Sequence, residues 1–88
     1  MKTEFKASFL KSVKKIKTAQ LKDEVAATII QVEEAVDITN ITSLRKLKGY
    51  KEFYRIRIGD YRIGLRINGD SVCFVEIAHR KDIYKLFP

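Results

Sequence analysis

No stretch of this 88-residue chain approaches the roughly 20 consecutive apolar residues that a membrane-spanning helix needs. The opening residues MKTEFKAS lack the apolar core of a signal peptide, so the sequence predicts a cytoplasmic protein with no membrane partner. A single cysteine, Cys73, rules out an internal disulfide and fits a reducing compartment. Internal repeats, low-complexity segments and linkers are absent too. A chain this short has the length for one modest core and not for two, so residues 1–88 read as one domain. Acidic charge is also scarce: 11 Asp+Glu against 18 Lys+Arg leaves a net charge of +7 and a pI near 9.7. That balance calls for a polyanionic or acidic partner, without separating RNA, DNA, an anionic membrane and acidic protein.

What is present is a basic population sorted by type. Six arginines fall between Arg45 and Arg80, whereas the first forty residues carry only lysine. Lysine scattered on helices is usually a solvated face; arginine gathered on a sheet suits planar, bidentate recognition of phosphate.

The arginines concentrate in GYKEFYRIRIGDYRIGLRI, Gly49 to Ile67. Tyr54, Ile56 and Ile58 alternate with Arg55 and Arg57 before Gly59-Asp60, and Tyr61, Ile63, Leu65 and Ile67 then alternate with Arg62, Gly64 and Arg66. Period-two alternation on both sides of a Gly-Asp turn predicts a β-hairpin. If Ile58 faces Tyr61, then Arg57 opposes Arg62, Ile56 opposes Ile63, Arg55 opposes Gly64 and Tyr54 opposes Leu65. One face is apolar and the other is arginine. Like charges directly across a strand pair cost up to about 1 kcal/mol, so an anion is expected there. Gly64 leaves a gap in the side-chain layer through which that anion could approach the backbone.

Around the hairpin, Thr3 to Lys6 reads as a short strand. Phe9, Leu10, Val13 and Ile16 recur at helical spacing between about Ser8 and Lys17. Leu21, Val25, Ile29, Val32 and Val36 form one stripe of a second helix, with Thr18 as N-cap. Leu44 to Leu47 is a candidate strand. Asn68-Gly69-Asp70 is a second tight turn, leading into an apolar strand from Ser71 to about Ala78. That strand has two possible registers. One puts Phe74 and Glu76 on the core face; the other, with a bulged loop, puts Cys73, Val75 and Ile77 there and Glu76 opposite Arg62. The second is favoured, because it buries no carboxylate. The predicted class is α+β: two N-terminal helices forming a hairpin on one face of a twisted antiparallel sheet of about four strands, followed by a short C-terminal helical turn.

Leu47-Lys48-Gly49, then Tyr54-Arg55-Ile56-Arg57-Ile58-Gly59-Asp60-Tyr61-Arg62, then His79-Arg80 and Tyr84 make an ordered pattern. It resembles the RelE/ParE superfamily of type II toxins, and within it the RelE-type mRNA interferases. The resemblance covers nearly the whole chain and implies a toxin that is a metal-independent endoribonuclease with no cofactor. It would cut mRNA in the ribosomal A site by 2′-hydroxyl attack on the scissile phosphate, inhibiting translation under stress. Its implied partners are an acidic RelB-like antitoxin from the neighbouring gene, mRNA on the ribosome, and DNA only indirectly through the antitoxin complex. Carried onto this sequence, the family pattern implicates Arg55, Arg57, Arg62, Arg80 and Tyr84. RelE-type enzymes often carry lysines where this chain has Arg55 and Arg57. Arginine keeps its proton, which leaves His79 as the candidate acid or base by intrinsic pKa. Two other functions compete: a ParE-type toxin that poisons gyrase by protein contact, and an attenuated member that only binds its antitoxin.

The ordinary reading of any one of these residues differs. A lone arginine is usually the solvated side of a strand, a lone histidine is usually structural, and a tyrosine near the end of a chain can simply cap a core. It is the convergence of four arginines around Gly64 that favours an anion site.

Overall fold

Alternation of apolar and basic residues can be satisfied in a sheet only if one face is covered and the other left to solvent, and the computed structural model, which describes residues 1–88, is built that way. In chain order it runs β1 (Lys2–Phe5), α1 (Ala7–Lys14), α2 (Ala19–Glu34), a single 3-10 turn (Ile38–Asn40), β2 (Leu44–Lys46), β3 (Phe53–Ile58), β4 (Tyr61–Asn68), β5 (Ser71–His79) and α3 (Ile83–Leu86). The strands form one sheet in the order β1-β5-β4-β3-β2. The predicted α+β class holds, with five strands rather than about four. The sheet is not wholly antiparallel, since β1 lies parallel to β5 at one edge. No helix is long and apolar enough to cross a membrane.

The β3–β4 register is the one counted from the sequence: Ile58 opposes Tyr61, Arg57 opposes Arg62, Arg55 opposes Gly64 and Phe53 opposes Arg66. Gly59 takes a φ of 56°, as its turn requires. Ile56, Ile58, Ile63, Leu65 and Ile67 are buried in a common core with Phe9 and Ile16 from the α1 region and Val25 and Val32 from α2. α1 packs chiefly on β5, and α2 on β1 and β3. The α2 stripe ends sooner than expected. Ala35 leaves the helix in an extended conformation, so Val36 lies outside it and is 86% exposed. Leu10 is likewise exposed while its neighbour Phe9 is buried. Thr18 occupies the N-cap position of α2 without a side-chain hydrogen bond.

β5 follows neither predicted register throughout. Asn68 pairs with Ser71, Ile67 with Val72 and Leu65 with Phe74, after which a bulge leaves Val75 unmatched; Gly64 then pairs with Glu76 and Ile63 with Ile77. The extra residue resets the alternation, so that Val72 and Phe74 before it and Ile77 after it are all buried. Cys73 and Val75, expected in the core, are only half-buried, and Glu76 opposes Gly64 rather than Arg62. The buried Glu76 carboxylate is satisfied by the Ser12 hydroxyl of α1 and by the Ile77 N–H at 3.1 Å. A second tie between the same elements runs from the Ser8 hydroxyl to the Val75 carbonyl at 2.6 Å.

Candidate functional site

Cross-strand pairing fixes which side chains share the uncovered face, because residues directly opposite each other project to the same side of the sheet. One row reads Arg45, Arg55, Gly64 across β2 to β4, the bulge beside Gly64 turning its β5 partner Glu76 toward Ser12 of α1, and the next reads Arg57, Arg62, Ala78 across β3 to β5. Two like-charge pairs therefore stand in register, Arg45 with Arg55 and Arg57 with Arg62, each costing up to about 1 kcal/mol. Together with Ser43, these four arginines line a cleft of about 390 Å³ that has no hydrophobic residue in its lining. The chain has one ion pair, Arg66 with Glu52 at 3.2 Å, and it lies outside this cleft. The cleft arginines thus face one another with no carboxylate in reach.

Arg62 is the most constrained of them. Its Nη1 donates to the carbonyls of Gly59 and Tyr61, both at 2.9 Å, which hold the guanidinium against the hairpin turn. Partial burial lowers its pKa from the ordinary arginine value; the positive charges of Arg57, Arg55 and Arg80 add to the effect and Tyr84 opposes it. Arg80 follows β5 and is tied to the same turn by its main-chain N–H, which donates to the Asp60 carbonyl at 2.7 Å. Its exposed side chain thereby stays within electrostatic reach of Arg62.

Tyr84 is brought to the site by α3. Its phenolic oxygen accepts a hydrogen bond from Arg55 Nη1, and the Arg55 guanidinium carbon lies 6.0 Å from its ring centroid, within cation–π range. Five of the six expected site residues, Arg55, Arg57, Arg62, Arg80 and Tyr84, therefore gather at one end of one face. His79 does not join them. It pairs with Tyr61, whose side chain faces the helices, and the two rings meet edge-on at 5.6 Å. Its Nδ1 accepts from the Lys81 N–H at 3.2 Å, and it lines a separate groove of about 660 Å³ with Ile16, Leu21 and Leu86.

Two features of the site differ from the sequence reading. The gap over Gly64 is no passage for an anion, because the Phe87 ring fills it: a Cβ at position 64 would lie 2.5 Å from Phe87 Cγ. Arg45 and Ser43 belong to the cleft although neither was singled out. Alternation through Leu44, whose side chain packs on the core, would have put Arg45 on the arginine side. Pairing β2 with β3 across the intervening loop was the missing step.

Comparison with known proteins gives a consistent picture. Residues 3–84 match the family model described as ParE toxin of type II toxin-antitoxin system, parDE. A curated relative, Toxin RelE3 of Methanocaldococcus jannaschii, is 35% identical over 89 residues, covering 100% of both chains. Among solved structures, a chain of the RelB-RelE antitoxin-toxin complex from Methanococcus jannaschii superposes with a TM-score of 0.82 at 33% identity, over 97% of this chain and 99% of that one. A chain of the archaeal RelE-RelB complex from Pyrococcus horikoshii OT3 shares the fold, with a TM-score of 0.73 at 16% identity over 93% and 97% of the two chains.

Proposed function

This chain belongs to the RelE/ParE superfamily of type II toxins, and from that premise we propose that it is an endoribonuclease that cuts messenger RNA in the ribosomal A site. The observation that carries this reading is the cleft of guanidinium groups without carboxylate partners. Such a cluster is costly unless a polyanion is present to neutralise it.

In the proposed reaction the ribose 2′-oxygen attacks the neighbouring phosphorus, forming a 2′-O–P bond while the P–O5′ bond breaks. The 2′-hydroxyl gives up its proton and the departing 5′-oxygen takes one. A 2′,3′-cyclic phosphate and a 5′-hydroxyl result, and nothing is oxidised or reduced. Negative charge builds on the phosphorane oxygens, where Arg55, Arg57 and Arg62, with Arg80 at the rim, stabilise it more than they stabilise the ground state. The guanidinium groups supply the charge, so the reaction is metal-independent in this reading and needs no cofactor.

Arginine cannot act as the base, since its pKa exceeds about 12 in proteins. Glu52 and Glu76 are occupied elsewhere, Glu52 by Arg66 and Asn68, and Glu76 by Ser12. Tyr84, held by Arg55, is placed to orient the nucleotide or to relay a proton through water. His79 lies across the sheet from the cleft, so in this reading His79→Gln retains cleavage.

The two solved structures described above are complexes of RelE with RelB, and a net charge of +7 suits an acidic cognate antitoxin here. Contact with DNA would be indirect, through that complex, and the site of action the cytoplasm. Expression in a bacterial host tests the proposal: growth arrest with messenger fragments bearing 5′-hydroxyl ends and intact chromosomal DNA is expected, unaffected by a chelator in the purified reaction. The matching family model carries the ParE name, which favours a second reading as a gyrase poison. DNA damage without messenger cleavage would establish that reading instead, and absence of toxicity would leave an antitoxin-binding module.

A further inference from the structure

α3 has four residues, too few to hold a helical shape in water unaided. What fixes it is a pair of apolar side chains one turn apart, Ile83 and Phe87, each 2% exposed, whereas Tyr84 beside them is 59% exposed. The Phe87 N–H donates to the Ile83 carbonyl at 2.8 Å and closes that turn. Neither residue belongs to the core cluster under α1 and α2; the burial of Phe87 serves the opposite face of the sheet. There the Phe87 ring rests on the bare backbone of Gly64, with Phe53 edge-on at 5.3 Å. Gly64 is the residue directly opposite Arg55, and Arg55 is the arginine that hydrogen-bonds Tyr84.

We propose that Phe87 is a positioning residue for Tyr84, seated in a socket that exists because residue 64 is glycine. The ring plants α3 one strand away from Arg55, and the turn from Ile83 to Phe87 then aims the Tyr84 hydroxyl at that guanidinium. A methyl group on residue 64 would meet the ring at 2.5 to 2.8 Å, so the socket can be closed from the sheet side as well as emptied from the helix side. The kinetic consequence rests on the nuclease reading; the structural one does not.

The test uses the full chain with carbon-13-labelled tyrosine rings, in Phe87→Ala, Gly64→Ala and Phe87→Leu. Ring resonances in the free protein are read beside kcat and KM on a model messenger. Phe87→Ala and Gly64→Ala are expected to move the Tyr84 signal toward that of a mobile, solvated ring while Tyr54 and Tyr61, on the other face, keep theirs, with an intermediate shift in Phe87→Leu. Cleavage should fall by about 10²-fold in kcat, as for a misplaced group, with KM near its wild-type value. In a Tyr84→Phe background, Phe87→Ala should add no further loss. An unmoved Tyr84 signal in folded Phe87→Ala, or losses that multiply with Tyr84→Phe, would overturn the proposal. If Phe87→Ala loses the Tyr54 and Tyr61 signals as well, Phe87→Leu decides: a shift confined to the socket side supports positioning, and a shift of Tyr54 and Tyr61 along with Tyr84 overturns it. A protein that never cuts RNA yet shows the Tyr84 shift refutes the nuclease reading and leaves the socket standing.

Discussion

On the helix side of the sheet, Ile56, Ile63, Leu65 and Phe74 are buried beneath Phe9, Val25 and Val32. On the reverse side the same strands present Arg55, Arg57, Arg62 and Arg66, with Glu52 the one carboxylate that pairs with any of them. The first face gains free energy from every apolar group removed from water. The second gives some back through like charges held in register. A ribbon whose side chains alternate carries both, and the cost on one face is tolerable because the other supplies the fold. The contrast separates substitutions that unfold the protein from those that disarm it.

The largest effect is expected on the covered face. Leu65→Ala removes buried volume beneath both helices and should destabilise by about 2–5 kcal/mol, read as a lower denaturation midpoint, with toxicity lost because the fold is lost. Next come Arg62→Ala and Arg80→Ala, each expected to reduce cleavage by about 10² to 10³-fold, with the melting temperature little changed. Equal loss of stability and of cleavage in these two would erase the distinction between the faces. A smaller and opposite effect belongs to Arg57→Thr. Removing one partner of the Arg57–Arg62 pair should raise stability by up to about 1 kcal/mol while cleavage falls, a trade seen where strain serves function. The smallest effect lies on neither face. Asp37 caps the Ile38–Asn40 turn, and hydrogen bonds from the Thr39 side chain and main chain lower its carboxyl pKa, with slight desolvation opposing. The unfolded state binds that proton more readily, so the local contribution is present above the ordinary carboxylate pKa and disappears as pH falls through the lowered one. Acid titration of the Thr39 amide resonance should show this without disturbing the sheet.

Much of the fold was legible because it depends on local alternation. The Gly59-Asp60 turn set the β3–β4 register, and with it the facing of Arg57 and Arg62, by counting alone. What could not be counted depended on contacts distant in sequence. The Val75 bulge answers a demand to bury Phe74 and Ile77 together while α1 satisfies Glu76, and no local pattern signals it. The parallel docking of β1 on β5 joins segments about seventy residues apart. At the site, the arginines of the hairpin were legible and Arg45 was not, since its row required β2 to be laid beside β3. The alternation marks Gly64 as a gap in the side-chain layer but does not say what fills it, and the occupant is the Phe87 ring. His79 lies two residues past Ile77 and so shares its side of the sheet, a placement the favoured register already implied.

One measurement bears most directly on the claim that the arginine cleft holds RNA phosphate. The arginine side-chain Nε–H resonances of the free protein would be followed while a short RNA is added, its scissile nucleotide carrying a 2′-deoxyribose so that no cleavage occurs. The account predicts saturable shifts at Arg45, Arg55, Arg57 and Arg62, with Arg66, paired to Glu52, left in place. Shifts confined to Arg66, or no shift in the four cleft arginines at saturating RNA, would contradict it.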